Sequence, residues 1–371
     1  MMKLYTNPHS KPKLFSNSLF FLSLFLSVFG CIMIYSATVC KSYPNYIFLK
    51  KQIIAIFIGL IICILTSHLT SQFFKKITSF LFIITVILLI SVFFFKKANY
   101  ANRWIVLPFL GSFQPSELAK LVSVLITAKF LDLYRSKIIS GKKEFWILFF
   151  LISVICGLII IQPDLGFPLI IFSVFLITLF IYSVKLTHIF KVSLLIILAL
   201  TLAFFSKPYR VKRVFSMNAN THKYQKNEAY QINQSILGLA RGGFYGCGLT
   251  KGIFKEFYIP ELHTDFMFSL IGEELGFLGT FLVVLLYGIF AFLGFSLFYS
   301  LYNSHRGFYG SVIALGVTLT IIIQAYLSIA VTTKLFFPKG IGLPFLSYGG
   351  SSIITNFLSI GILISISNTE K

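Results

Sequence analysis

Ten apolar runs, most of them long enough to cross a bilayer, decide what this chain can fold into. They fall near residues 17–37, 52–69, 77–95, 116–134, 145–162, 165–184, 188–206, 266–300, 308–333 and 345–367. A bilayer core about 30 Å thick takes about 20 apolar helical residues per crossing. Inside it, every backbone N–H and C=O must be paired within its own helix. The runs therefore predict one all-α, polytopic membrane domain over 1–371 with about ten transmembrane helices. Composition agrees: 57% of the 371 residues are apolar and 12% are charged, against about a quarter charged in soluble proteins. Disorder, a soluble enzyme and a disulfide scaffold are excluded. The first run follows Lys3, Lys11 and Lys13 as a signal peptide would, but it is too long and lacks a good cleavage site. It is read as an anchored helix. The eighth run exceeds one crossing, so its first turns are expected to lie shallow or re-entrant.

Basic residues in short loops set the orientation. Placing the N-terminus (1–15) in the cytoplasm puts Lys75, Lys76, the Arg135–Lys143 group, Lys185 and Arg306 inside. Lys96, Lys97, Arg103, Lys334 and Lys339 then lie outside. Both termini, including the 368–371 tail, are expected to be cytoplasmic, and 207–264 to be one large extracytoplasmic loop. That loop carries Lys207, Arg210, Lys212, Arg213, Lys223, Lys226, Arg241, Lys251 and Lys255. Such a patch suits an anionic partner at the membrane surface or anionic lipid headgroups. Nucleic acid is not indicated, because recognition aromatics and a soluble binding module are missing. The chain has no GxxxxGK[ST] phosphate loop, HExxH or GxSxG motif, so ATP-driven transport and zinc or serine hydrolysis lose their usual signatures. Five scattered cysteines form no CxxC or Cys/His cluster.

With 11 acidic residues against 32 basic ones, each carboxylate needs a reason. Glu117 and Lys120, just after Gln114-Pro115-Ser116, share a helix face. They form either a structural ion pair or the wall of a polar cavity. Asp164, in Gln162-Pro163-Asp164-Leu165-Gly166, either caps the next helix or holds a cation or basic residue. Asp265 stands with Glu261, His263 and Thr264 in the densest polar cluster, where the long loop meets the eighth run. It is either a helix cap or a general base whose half-buried site moves its pKa from about 4 toward neutrality. Glu273 and Glu274 are costly in an apolar helix unless paired, with Lys120 or a loop arginine as candidate partners. Asp132, Glu144, Glu228, Glu256 and Glu370 are read as solvated. Finally, the small residues of 339–352 permit irregular backbone at membrane depth, and their N–H groups before a helix suit an anion.

Taken in order, these motifs resemble the SEDS family (shape, elongation, division and sporulation), which includes FtsW, RodA and SpoVE. The matching residues are Asn102-Arg103-Trp104, Gln114 through Lys120, Gln162 through Gly166, Tyr230-Gln231, Gln234-Ser235, Pro260-Glu261 with His263 through Phe266, Gly272 through Gly276, and Leu343-Pro344 through Ser352. Pro208-Tyr209-Arg210, Arg213-Val214 and Ile271-Gly272 are more similar to the division type, FtsW, than to the elongation type.

The resemblance implies a peptidoglycan glycosyltransferase of cell division. Its substrate would be lipid II, an undecaprenyl-pyrophosphoryl disaccharide-pentapeptide, polymerised into β-1,4 glycan on the outer face of the bacterial inner membrane, at the septum. It implies Asp265 as the catalytic base. Substrate-binding positions fall on Arg103, Glu117, Lys120, Asp164, Arg210, Arg213, His263, Thr264, Glu273, Lys339, Ser347, Gly349, Gly350 and Ser351. Positive charge from Arg210, Arg213, Lys339 or a divalent cation (Mg2+ or Mn2+) would stabilise the leaving pyrophosphate; no metal ligand is assigned and no organic cofactor is expected. The implied partners are a class B penicillin-binding protein, which is a transpeptidase, and other divisome membrane proteins. Rival readings are a lipid II flippase, an elongation-type polymerase and a noncatalytic scaffold. A transporter site belongs near the midplane, whereas the densest polar cluster here sits at the outer edge. The chain departs from the family at Asn102, Ala229, Phe257, Ser328, Pro338 and Lys334, the last standing where a glycine is usual.

Overall fold

The computed structural model describes residues 12–38, 46–95, 103–107, 111–205, 228–253, 262–304, 307–336 and 339–369. The chain is a multi-pass, all-α bundle with one small hairpin. Its helices are α1 (Pro12–Thr38), α2 (Ile47–Ser67), α3 (Ser71–Ser91), α4 (Pro115–Ile139), α5 (Lys143–Ile161), α6 (Gly166–Ile181), α7 (Leu186–Phe205), α8 (Glu228–Gly242), α9 (Met267–Tyr302), α10 (Phe308–Thr332) and α11 (Gly350–Thr369). Between α3 and α4, β1 (Ile105–Leu107) pairs antiparallel with β2 (Gly111–Phe113).

Each of the ten apolar runs becomes a helix. Eight are long and apolar enough to cross a membrane by themselves. Of the other two, α6 has only 16 residues. The second, α4, is long but carries Glu117, Lys120, Lys129, Asp132, Arg135 and Lys137; such charge is tolerated only inside a bundle. Its wall-side residues are accordingly sealed by α3, α5, α6 and α10. α10 and α11 are the most enclosed apolar helices, while α7 turns nearly all of its surface outward.

One feature departs from the expectations, and a second gives form to the expectation that the eighth run is too long for one crossing. Residues 228–242, expected to be loop, form α8, whose Ile232, Ser235, Ile236 and Leu239 recur at helical spacing and face α9 and α10. The eighth run enters as a separate arm, 267–275. It breaks at Gly276, where φ is +66°, before 277–302 continues. A side chain at Gly276 would collide with the Gly246 nitrogen and the Phe244 carbonyl. Only glycine admits both that conformation and that approach.

Ser16 Oγ in α1 meets Ser367 Oγ in α11 at 2.7 Å. The first and last helices therefore start and finish at the same end of the bundle. Asp132 and Glu144 lie at that end and pair with Lys75 and Lys137, rather than being merely solvated. The turn at 262–266 and the segment 339–349 lie at the opposite end.

Candidate active site

Asp265 belongs to the turn that enters the arm of α9. The N-cap position is Phe266, whose own side chain makes no cap bond, so Asp265 is not the N-cap residue. Its carboxylate is half-buried and packed so closely on Gly340 that a Cβ there would come 2.7 Å from Oδ2. Two residues earlier, the His263 carbonyl accepts the Tyr348 N–H at 2.9 Å. The His263 ring lies 4.3 Å from the Phe48 ring and 5.5 Å from that of Tyr348, centroid to centroid. Burial lowers its pKa from the usual 6.5, so the ring is a neutral packing element near pH 7.

Directly before Gly340, Lys339 donates to Asp164 Oδ1 at 2.9 Å, and Arg103 Nη1 stands 3.6 Å from Oδ2. Asp164 also accepts the Gly166 N–H at 2.9 Å, so it caps α6 and holds basic residues at once. Burial would raise its carboxyl pKa, but the Lys339 ammonium and Arg103 guanidinium outweigh burial and hold it below the usual range. Arg103 is fixed further by the carbonyls of Gln162, at 3.2 Å, and Pro163. Two cations against one carboxylate leave a net positive charge one residue away from the contact with Asp265.

Farther into the bundle, Lys120 lies 2.8 Å from Glu117 and donates to Gln324 Oε1. The Gln324 amide in turn donates to the Gly342 carbonyl at 3.1 Å. Glu117, Lys120, Thr320, Thr355, Asn356 and Ser359, with Leu121, Val124, Val317 and Ile321, line a small cavity of mixed polarity between α4, α10 and α11. The sequence alternatives for this pair thus coincide: it is an ion pair, and it walls a cavity.

The glycine-rich segment is fastened at several points. Tyr287 donates to the Pro344 carbonyl at 2.6 Å, and Ser347 Oγ accepts the Leu343 N–H at 2.9 Å. Gln52 donates to the Ser347 carbonyl at 3.2 Å and accepts the Gly349 N–H at 3.1 Å. Gly349 therefore spends its N–H on the protein, Gly350 opens α11, and Ser351 is buried within it. Gln52 and Gln324 were not singled out from sequence. The available signal was a lone amide in an apolar run, which is costly unless bonded.

Glu273 and Glu274 are not part of this cluster. Glu273 Oε1 accepts the Ile253 N–H at 2.7 Å, and Glu274 accepts from Ser36 Oγ. Of their two candidate partners, Lys120 or a loop arginine, Lys120 is engaged elsewhere, because the arm carries the two acids sideways to α1 and the 246–253 loop instead of inward to α4. Thr264 lies in the turn beside Asp265, its carbonyl against Gly342. Arg210 and Arg213, like Glu261, lie outside the described residues. Among the described residues no three His, Cys, Asp or Glu side chains converge, and both Asp164 oxygens already face cations. The described residues do not form a cage for Mg2+ or Mn2+.

The profile of the FtsW, RodA and SpoVE cell cycle proteins matches residues 17–371. The chain belongs to this family. It is 33% identical over 353 residues to the probable peptidoglycan glycosyltransferase FtsW of Legionella pneumophila, covering 93% of this chain and 89% of that one. With the protein of the same name from Coxiella burnetii it shares 34% over 356 residues, covering 93% and 94%. Among solved structures it is similar to a chain from a peptidoglycan synthase complex described as coordinating polymerization and crosslinking. The TM-score is 0.77 at 25% identity, covering 95% of this chain and 97% of that one. The Thermus thermophilus rod shape determining protein RodA superposes with a TM-score of 0.68 at 25% identity, covering 95% and 96%. The fold of this chain is thus shared with these proteins over 95% of its length.

Proposed function

We propose that this family member is a peptidoglycan glycosyltransferase of the division type, which polymerises lipid II with Asp265 as general base. One observation carries the reading. A half-buried carboxylate packs against Gly340, directly after Lys339, which joins Arg103 on the buried Asp164 at one end of a multi-pass bundle. That is what a glycosyl transfer with an anionic leaving group needs: a base facing an acceptor, with positive charge adjacent.

In the reaction, Asp265 takes the proton of the acceptor GlcNAc 4-hydroxyl as that oxygen attacks the donor MurNAc anomeric carbon. The bond from this carbon to the pyrophosphate oxygen breaks, and undecaprenyl pyrophosphate leaves with the electron pair. Lys339 and Arg103 stabilise the leaving charge; Asp164 holds both in place and is itself kept ionised by them. The site end of the bundle faces outward, both termini are cytoplasmic, and the protein acts at the septum beside a class B penicillin-binding protein that crosslinks the product. Support for the partner comes from the relatives' names and from the synthase complex to which the chain is similar.

The test uses the full-length protein with its transpeptidase and lipid II, with glycan products resolved on gels. Asp265→Ala is expected to lower polymerisation on the order of 1000-fold while partner binding is retained. Equal polymer from both proteins removes Asp265 from the chemistry. No polymer from folded, partner-bound wild type, together with lipid II translocation in vesicles, moves the reading to a flippase using the Glu117–Lys120 cavity.

A further inference from the structure

Gln52 is completely buried on α2, a helix that otherwise turns much of its surface outward. It heads the face formed with Ala55, Gly59 and Cys63 that packs on α11. The three that follow are small and make close contact. An amide in that row costs free energy unless both of its ends are bonded. Both are: Nε2 donates to the Ser347 carbonyl at 3.2 Å, and Oε1 accepts the Gly349 N–H at 3.1 Å. The two bonds flank Tyr348, whose own N–H donates to the His263 carbonyl at 2.9 Å. One turn before Gln52, on the same helix face, Phe48 packs its ring on those of His263 and Tyr348. The N-terminal turns of α2 thus grip the chain on both sides of the bond that anchors the Asp265 turn.

We propose that Gln52 is a positioning residue for polymerisation: by clamping Ser347 and Gly349 it fixes Tyr348, and through the His263 carbonyl it fixes the direction of the Asp265 carboxylate. This rests on the reading of Asp265 as general base. Gln52 touches no substrate; it acts through four backbone groups. A displacement of about 1 Å at a reacting group costs on the order of 100-fold in rate, so loss of the clamp falls on kcat rather than on lipid II binding.

The test compares wild type, Gln52→Met, Asp265→Asn and the double variant, each as full-length protein with its transpeptidase, on lipid II. Gln52→Met removes both bonds at nearly constant volume. Its kcat is expected to fall on the order of 100-fold, with KM and transpeptidase binding unchanged. On the Asp265→Asn background the same substitution is expected to change the residual rate no further, because the group being aimed is already disabled. Gln52→Asn, which keeps the amide but is one methylene shorter, is expected to fall between wild type and Gln52→Met. A wild-type kcat for Gln52→Met, a raised KM with intact kcat, or a further loss on the Asp265→Asn background each overturns the proposal while leaving the general-base reading standing. If neither Gln52 variant folds, Gln52 is a residue of the fold alone and the proposal is overturned. Full activity of Asp265→Asn sinks the general-base reading itself, and the proposal with it.

Discussion

The two acidic clusters at the site end look alike in sequence and are built differently. Glu273 and Glu274 are 1% and 0% exposed, and they bind an amide N–H and a hydroxyl from α1 and the 246–253 loop. Their work is to close the corner at which the arm of α9 turns. Gly242, Gly246 and Gly252 lie against this corner so closely that a methyl group at any of them would meet Gly272, Glu273 or Glu274. Asp265, at the other end of the same arm, is half-buried and lies against Gly340, the residue after Lys339, whose ammonium is bound to Asp164. A fully buried carboxylate that accepts from a backbone N–H or a hydroxyl in a closed corner stabilises a shape. A carboxylate left partly accessible beside fixed charge has the surroundings that general-base chemistry requires. Polarity alone does not separate the two; exposure and the nature of the partners do.

Lys339 tests the division most severely, because it belongs to the ion cluster and adjoins Gly340. In Lys339→Met the buried Asp164 keeps the Gly166 N–H but only the longer of its two cation contacts, that with Arg103. Breaking a buried pair on one side costs about 3 kcal/mol, and the shift of Gly340 against Asp265 is expected to lower polymerisation on the order of 100-fold. Thermal unfolding of the purified protein and gel analysis of glycan give the two readouts. A destabilised variant that still polymerises normally per folded molecule would place Lys339 with the structural acids.

The reverse result is expected at the corner. Ser36→Ala removes the donor to Glu274 and the acceptor of the Thr250 N–H, a 3.0 Å bond. Leaving such buried groups unsatisfied costs about 1–3 kcal/mol. The melting temperature should fall while polymer per folded molecule stays at the wild-type value. A selective loss of activity would show that the arm transmits the state of its far end to Asp265, and the two clusters would then act as one device.

What the sequence made legible follows from which interactions leave a local trace. Helical apolar runs write themselves along the chain, so all ten appear where the pattern put them. The Glu117–Lys120 pair is spaced by three residues and was equally plain. The Lys339–Asp164 bond joins distant segments; the sequence offered both residues as candidates without joining them to each other. Gln52 and Gln324 hold backbone carbonyls, which every residue possesses, and in the case of Gln52 the partner is 295 positions away. No residue type betrays such a bond. The length of the eighth run implied a separate first part, but its break point at Gly276 was hidden because one glycine inside an apolar helix is ordinary, and only the approach of residues 244–246 makes it obligatory. α8 carried a readable spacing, but its basic, polar surroundings led it to be taken as loop.

His263 gives the smallest effect and the finest distinction within the active end itself. Its ring is packed, not presented, and burial lowers its pKa below 6.5. The sign follows from linkage: as pH falls through the unfolded-state value, the unfolded chain binds a proton that the folded ring resists. Stability attributable to this site is therefore complete above about pH 6.5 and declines as the pH falls below that value. Replacing the ring by Phe preserves the contacts with Phe48 and Tyr348 and leaves the backbone carbonyl that accepts from Tyr348 unchanged. His263→Phe should therefore polymerise as wild type does at pH 7.5 and lose less thermal stability than wild type between pH 7 and pH 5, measured by melting curves across that range. If His263→Phe instead abolishes polymerisation at pH 7.5, the imidazole works on substrate beside Asp265, and the line between packing and chemistry moves two residues toward the helix α2 side.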